Sequence, residues 1–255
     1  MDDTVDLPVA YEPRAVDAGT PVFAEARRLA LAGAEEGTLV WARDQRTAFG
    51  PAGHGWQPAP EGLYCALVLR PDIPAPATAQ LVAVAAVSVG GALAELVSPL
   101  TQLHYRWPGG ILLNQGKAAG IRLAADPDTA SPWAILGIGV NVTTAPADLG
   151  FAAASVRQEG DCDAAPEQVL EGFTRHFLAW INRWAEDGFA PVRHAWLQRM
   201  PGLNESRQVH CHGDTAAGIA EAVDENGSLV LRHTDGGQQV LSLSGYYGLT
   251  DEPVR

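Results

Sequence analysis

Arg106-Trp107-Pro108-Gly109-Gly110-Ile111-Leu112-Leu113-Asn114-Gln115-Gly116-Lys117-Ala118-Ala119-Gly120-Ile121 reads as a strand, a tight polar turn and a second strand with a lysine at its mouth. A cation beside backbone that only glycine lets a ligand approach closely is a ready site for a carboxylate or a phosphate. Lys117 is therefore the first candidate for chemistry. Taken alone, it is either that or a solvated hairpin lysine.

Strands are predicted around this hairpin at about 103–106, 111–113, 118–125 and 133–142, with earlier ones at 38–42 and 63–69. Thr20 then Pro21 reads as an N-cap and a first-turn proline, opening a helix to about Ala32 with Phe23, Ala26, Leu29 and Ala30 inward. A second helix over about 77–97 places Leu81, Val84, Ala85, Ser88, Val89, Ala92 and Leu96 on one face. A third opens at Pro166, with Val169, Phe173, Phe177, Trp180, Ile181 and Trp184 as a core-facing stripe. A short helix follows at about 191–199. Runs of strands joined by short turns, interrupted by helices, favour an α+β domain with a mixed or antiparallel sheet over a doubly wound one. Residues 45–60 form a long loop rich in glycine and proline, the kind that is usually functional in a compact domain.

After Pro201 the pattern changes to short alternating strands. Their turns, Asp224-Glu225-Asn226-Gly227 and Thr234-Asp235-Gly236-Gly237, supply the positive φ that hairpins need. A small β-barrel is the expected product. The reading divides the chain into an irregular lead-in over 1–19, a larger domain over 20–200 and a barrel over 201–255.

Lys and Arg total 17 against 30 Asp and Glu, and the net charge of −13 opposes attraction to nucleic acid or anionic membrane. Cys65, Cys162 and Cys211 are too scattered for a disulfide framework, so a reducing, cytoplasmic location is expected. The acidic start lacks the charges and apolar run of a signal peptide. The apolar stretch from Leu81 to Val97 is broken by Ser88 and Glu95, and reads as a buried helix rather than a membrane span. His210-Cys211-His212 could offer two imidazoles to a metal, but no third ligand is near in sequence, so no metal site is expected.

Several motifs stand in register with the opening hairpin: Gly37-Thr38, Trp56, Gly62-Leu63-Tyr64, Arg106-Trp107-Pro108, Lys117-Ala118-Ala119-Gly120-Ile121 and Gly137-Ile138-Gly139-Val140-Asn141-Val142. In that order they resemble the biotin and lipoate protein ligase family from about residue 20 onward, and Gly218-Ile219 with Asp224-Glu225-Asn226-Gly227-Ser228-Leu229 is similar to its C-terminal signature. The resemblance implies a class II synthetase-like ligase fold with packed helices, followed by an SH3-like barrel. It also implies ATP-dependent attachment of biotin, lipoate or a related carboxylic acid to a lysine of a carrier protein, with ATP and Mg as cofactors. By the same resemblance Lys117 is the catalytic residue. Gln45, Gly50, Tyr64, Gly120, Ile121 and Gly137 bind the acid, and Trp107 and Asn141 bind the nucleotide. Gln45 on its own could equally be a polar loop residue.

The chain departs from the family pattern where the chemistry lies. The family's G-R-G-R-R-G-R loop, whose arginines pair with phosphate and carboxylate oxygens, is here Ala48-Phe49-Gly50-Pro51-Ala52-Gly53-His54, and Arg46 lies just outside the match. The W-P-N-D turn is here Trp107-Pro108-Gly109-Gly110. Losing several cationic clamps would nearly silence adenylation unless another surface supplies them. Two alternatives therefore stand beside the ligase: an acyltransferase that uses a preformed thioester, and a noncatalytic relative that binds the acid or its carrier domain.

Overall fold

The computed structural model describes residues 5–46, 48–49, 55–126, 132–147, 149–211 and 214–250. A seven-stranded sheet forms the body. Its strands are β1 (Glu12–Ala15), β2 (Thr38–Ala42), β5 (Leu63–Leu69), β6 (Leu103–Arg106), β7 (Gly110–Leu113), β8 (Gly116–Asp126) and β9 (Trp133–Val140). They lie in the order β1-β2-β5-β9-β8-β7-β6. Only β1 and β2 run parallel, so the sheet is mixed, as expected. The short hairpin of β3 (Ala48–Phe49) and β4 (Gly55–Trp56) stands apart from it, inside the expected long loop.

β2 and β5 are buried along their whole length because both faces of the sheet are covered. On one face lies α1 (Val22–Leu31), which buries Val22, Ala26 and Ala30 against Val40, Ala66 and Ile135. On the other lies α2 (Ala75–Leu96). The expected one-faced stripe on α2 proves too narrow: the helix is buried nearly all round, since α4 (Pro166–Asp187) and α5 (Ala190–Gln198) close over its outer side. Its mean hydropathy of 1.7 over 18 residues would suit a membrane, yet 83% of that window lies inside the fold. The α4 stripe divides as its position dictates. Val169, Phe173 and Phe177 are in the core, while Trp180, Ile181 and Trp184 are only partly buried toward the C-terminal end.

The lead-in is not wholly irregular. Glu12–Ala15 joins the sheet edge beside β2, although all four residues are exposed and carry no alternating pattern. A one-turn helix, α3 (Val156–Gly160), was also not anticipated; Ser155 caps it by accepting a hydrogen bond from the Gln158 N–H.

Downstream, β10 (Ser206–Cys211), β11 (Asp214–Val223), β12 (Leu229–Arg232) and β13 (Gln238–Leu241) form a separate antiparallel meander, followed by α6 (Leu243–Tyr246). Gly227 (φ 87°) and Gly236 (φ 85°) take the left-handed conformations expected of its turns. The meander is tied to the larger sheet by Trp107, whose indole Nε1–H donates to the Gly227 carbonyl at 2.9 Å and whose ring meets Tyr246 edge-on at 5.2 Å.

Candidate active site

A cavity of about 850 Å³ opens on the α1 face of the sheet, between α1, the middle of β8 and β9, and β10 of the meander. Its floor is glycine backbone. A Cβ built on Gly120 would come within 2.9 Å of the Trp56 ring, and one on Gly139 within 3.2 Å. A Cβ on Gly137 would meet Phe23 at 2.5 Å. Two aromatic side chains thus rest directly on peptide groups, which only glycine permits. The pairing Gly120↔Gly139 places the two Trp56 glycines side by side, and Arg122↔Gly137 continues the floor toward α1.

Lys117 reaches this floor through an irregularity. Along β7, Ile111 pairs with Ala119 but Leu112 pairs with Lys117, so Ala118 is an extra, unpaired residue. Side chains in a regular strand alternate faces, which would put Lys117 and Gly120 on opposite sides of the sheet. The bulge restores them to one side, and the Lys117 Cε lies 3.7 Å from where a Gly120 Cβ would be. The ammonium sits 5.3 Å from the Trp56 ring centre and 5.8 Å from that of Phe151. Its backbone is held on both sides by a strap: Lys117 N–H donates to Ala152 and Ala154 N–H donates to Lys117. Burial, with the positive charge of Arg106 nearby, lowers the lysine's pKa from its ordinary value.

Among the described residues the cavity lining holds four cations, Arg27, Arg106, Lys117 and Arg122, and no carboxylate. That is a sharp local inversion in a chain with 30 acidic and 17 basic residues. Low-dielectric walls around one sign of charge concentrate the field on an anionic ligand. Arg27 and Arg122 were not singled out from the sequence. Arg122 is detectable as the residue two after Gly120, which puts both on one strand face. Arg46 is exposed and does not line the cavity.

The other expected site residues separate into three groups. Gly120, Ile121 and Gly137 line the cavity, Ile121 also donating its N–H to the Gly109 carbonyl at 3.0 Å. Gln45 and Tyr64 line it too, but their polar atoms are engaged. Gln45 Oε1 accepts from Val22 N–H at the start of α1, and its Nε2 donates to the Thr20 carbonyl, so it caps the helix where Thr20 was expected to. The Tyr64 hydroxyl donates to and accepts from the Ala59 backbone at 2.8 Å each way, and burial raises its pKa to about 12. Trp107 lines the cavity while its indole N–H is spent on Gly227. Asn141 does not line it: its amide donates to the carbonyls of Ala154 and Lys117, leaving Oδ1 buried without a partner among the described residues. Asn141 therefore braces the lysine's backbone. Gly50 lies outside the described residues.

His210 lines the cavity mouth from β10 and bonds Thr215 Oγ1 at 2.8 Å; His212 lies outside the described residues. Among the described residues no three potential metal ligands cluster. Gly109 and Gly110 stand where the family pattern has an amide and a carboxylate. A Cβ on Gly109 would lie 3.0 Å from Ile121 Cβ, 3.1 Å from Val82 Cγ1 and 3.2 Å from the Tyr247 hydroxyl, so that position is closed as well as bare.

Residues 7–198 match the profile of the biotin/lipoate A/B protein ligase family. The chain is 35% identical over 232 residues to the biotin–[acetyl-CoA-carboxylase] ligase of Paracoccus denitrificans, covering 88% of this chain and 96% of that protein. It is 32% identical to the bifunctional ligase/repressor of Bacillus subtilis, over 85% of this chain and 68% of that one. Among solved structures, a biotin protein ligase-like protein of unknown function from Silicibacter superposes with a TM-score of 0.79 at 27% identity, over 95% of this chain and 99% of that one. The biotin protein ligase of Aquifex aeolicus in complex with biotin and ATP gives a TM-score of 0.74 at 20% identity, over 90% and 95%, a likeness of fold.

Proposed function

Since the chain belongs to the biotin/lipoate A/B protein ligase family, we propose that it joins a biotin-type carboxylic acid to a lysine of a carrier protein, using ATP and passing through an acyl-adenylate. The observation that carries this reading is the ammonium of Lys117, aimed by the Ala118 bulge onto a glycine floor in a cavity whose lining, among the described residues, holds cations and no carboxylate.

In the first step a carboxylate oxygen attacks the α-phosphorus, the bond from that phosphorus to the bridging oxygen breaks, and pyrophosphate leaves. Lys117 neutralises the acid and the charge growing at phosphorus. In the second, the carrier lysine's amine attacks the acyl carbon, loses its proton and expels AMP. Trp56 and Phe23, resting on Gly120, Gly139 and Gly137, form an apolar enclosure that shields the mixed anhydride from water. The guanidinium of Arg106, the charged neighbour of Lys117 in the lining, supplies a cation in place of those lost from the 48–54 loop. Magnesium enters only as the counter-ion of ATP. The described lining has no carboxylate to hold it, so no step is assigned to it.

The acyltransferase alternative needs a thiolate, and Cys65 is the one cysteine in the described lining. Burial pushes its thiol up to about 12, which holds it protonated at neutral pH. The noncatalytic alternative has one observation in its favour, the closed packing around Gly109 where the family pattern carries an amide.

Calorimetric titration with biotin, lipoate and octanoate, each with and without Mg-ATP, tests the proposal. Tight binding of one acid, strengthened by ATP and lost in Lys117→Ala, supports a working ligase. Acid binding indifferent to ATP refutes adenylation and leaves the noncatalytic reading.

A further inference from the structure

The cations of the cavity fall into two groups. Arg106 is the charged neighbour felt by Lys117, whereas Arg27 is the one felt by Arg122. Lys117 and Arg122 both project from β8 onto the floor, five positions apart with the unpaired Ala118 between them, so four regular steps separate their backbones by roughly 13 Å at about 3.3 Å per residue. Between them lie Gly120 and its aromatic cover, with no polar side chain from β8. The Arg122 guanidinium carbon lies 4.1 Å from the Phe23 ring centre, and that of Arg27 5.8 Å from the Trp133 ring centre, so each cation faces an aromatic ring. Burial and the neighbouring Arg27 press on the Arg122 guanidinium without neutralising it. One acid and one reacting phosphorus need only the Lys117 end.

Building on the ligase reading of this cavity, we infer that Arg27 and Arg122 form a second anion subsite at the end remote from Lys117, so that the bound ligands carry negative charge at both ends of the glycine floor. Two sources offer that chemistry: the distal carboxylate of an α,ω-dicarboxylic acid, and the phosphates of ATP. A planar guanidinium pair suits either, since both present paired oxygens.

The test uses octanoate, octanedioate and Mg-ATP as separate calorimetric probes of the full chain, in wild type, Arg122→Met and Arg27→Met. Arg27 is exposed on α1, so its variant keeps the fold if Arg122→Met does not; melting temperatures check both. If the distal carboxylate is the source, octanedioate binds wild type on the order of 10- to 100-fold more tightly than octanoate, and either substitution removes the difference. If the phosphates are the source, the two acids bind alike and Mg-ATP weakens by a similar factor in the variants. Unchanged affinities for all three probes in both variants overturn the subsite. Those outcomes are independent of Lys117→Ala, whose failure to alter acid binding would instead strike the ligase reading. If wild type binds none of the probes, both fall.

Discussion

Lys117→Met should make the protein more stable and less competent at once. The wild-type ammonium is largely withdrawn from water beside Arg106, with no carboxylate pairing it among the described residues. Removing an unpaired, desolvated charge relieves a penalty of several kcal/mol at most. Against this stand the two aromatic contacts at 5.3 and 5.8 Å, about 0.5–1 kcal/mol each, which a methionine sulfur partly replaces. A net gain of about 1 kcal/mol is expected at pH 7, or roughly 2–4 °C in melting temperature for a chain of this size.

The pH dependence gives the sign its check. Because the folded pKa is below the ordinary 10.5, the unfolded chain binds more protons between those two values, and wild-type stability from this group recovers as pH rises through that window. The variant's advantage should therefore be full at neutral pH and shrink as pH approaches 10.5. Urea denaturation at pH 7 and pH 10 measures it. Acyl-adenylate formation should fall on the order of 10²- to 10³-fold. A variant less stable than wild type at neutral pH, or an advantage that ignores pH, would refute the desolvation argument.

Trp107→Phe keeps the ring against Tyr246 but strands the buried Gly227 carbonyl, at about 1–2 kcal/mol; faster amide exchange should appear in β12 and not in β5, and equal exchange would sink the claim that this bond ties the meander down. Gly109→Asn, which restores the family's side chain, should destabilise by about 1–3 kcal/mol because its Cβ meets three neighbours at 3.0–3.2 Å; a melting temperature at or above wild type would show that the position is open. In native protein at pH 8, a thiol reagent should modify Cys162 rapidly and spare Cys65, whose thiol is buried and pushed to about 12; prompt loss of both signals by mass spectrometry would revive a cysteine mechanism.

Much of this architecture is legible because local and global signals agree. Pro21, Pro166 and the Asn226-Gly227 turn mark ends, and the β5 and α4 patterns mark what is buried. The exceptions have physical causes. β1 is four exposed residues held by backbone bonds at a sheet edge, so no side-chain pattern records it. The all-round burial of α2 depends on α4 and α5 covering it, which periodicity within α2 cannot report. Within the site, Lys117 and its glycines were readable from residue type. The engagement of Gln45 with α1, and of Asn141 with the lysine's own carbonyl, is tertiary and leaves no trace in spacing. Arg27 and Arg122 were missed because they come from different elements and meet only when α1 lies across β8 and β9.

The unpaired Ala118 makes the length of one strand a matter of phase. Gaining a single codon there, beside a bulge that is kept, would leave every neighbouring letter of the sequence intact, and the hairpin would still close, but alternation would carry Lys117 to the side facing α2. Descendants of such an insertion would keep the motif in print while losing its meaning. A motif search scores letters and is nearly blind to that difference, whereas counting residues between Lys117 and the Gly120 floor detects it at once.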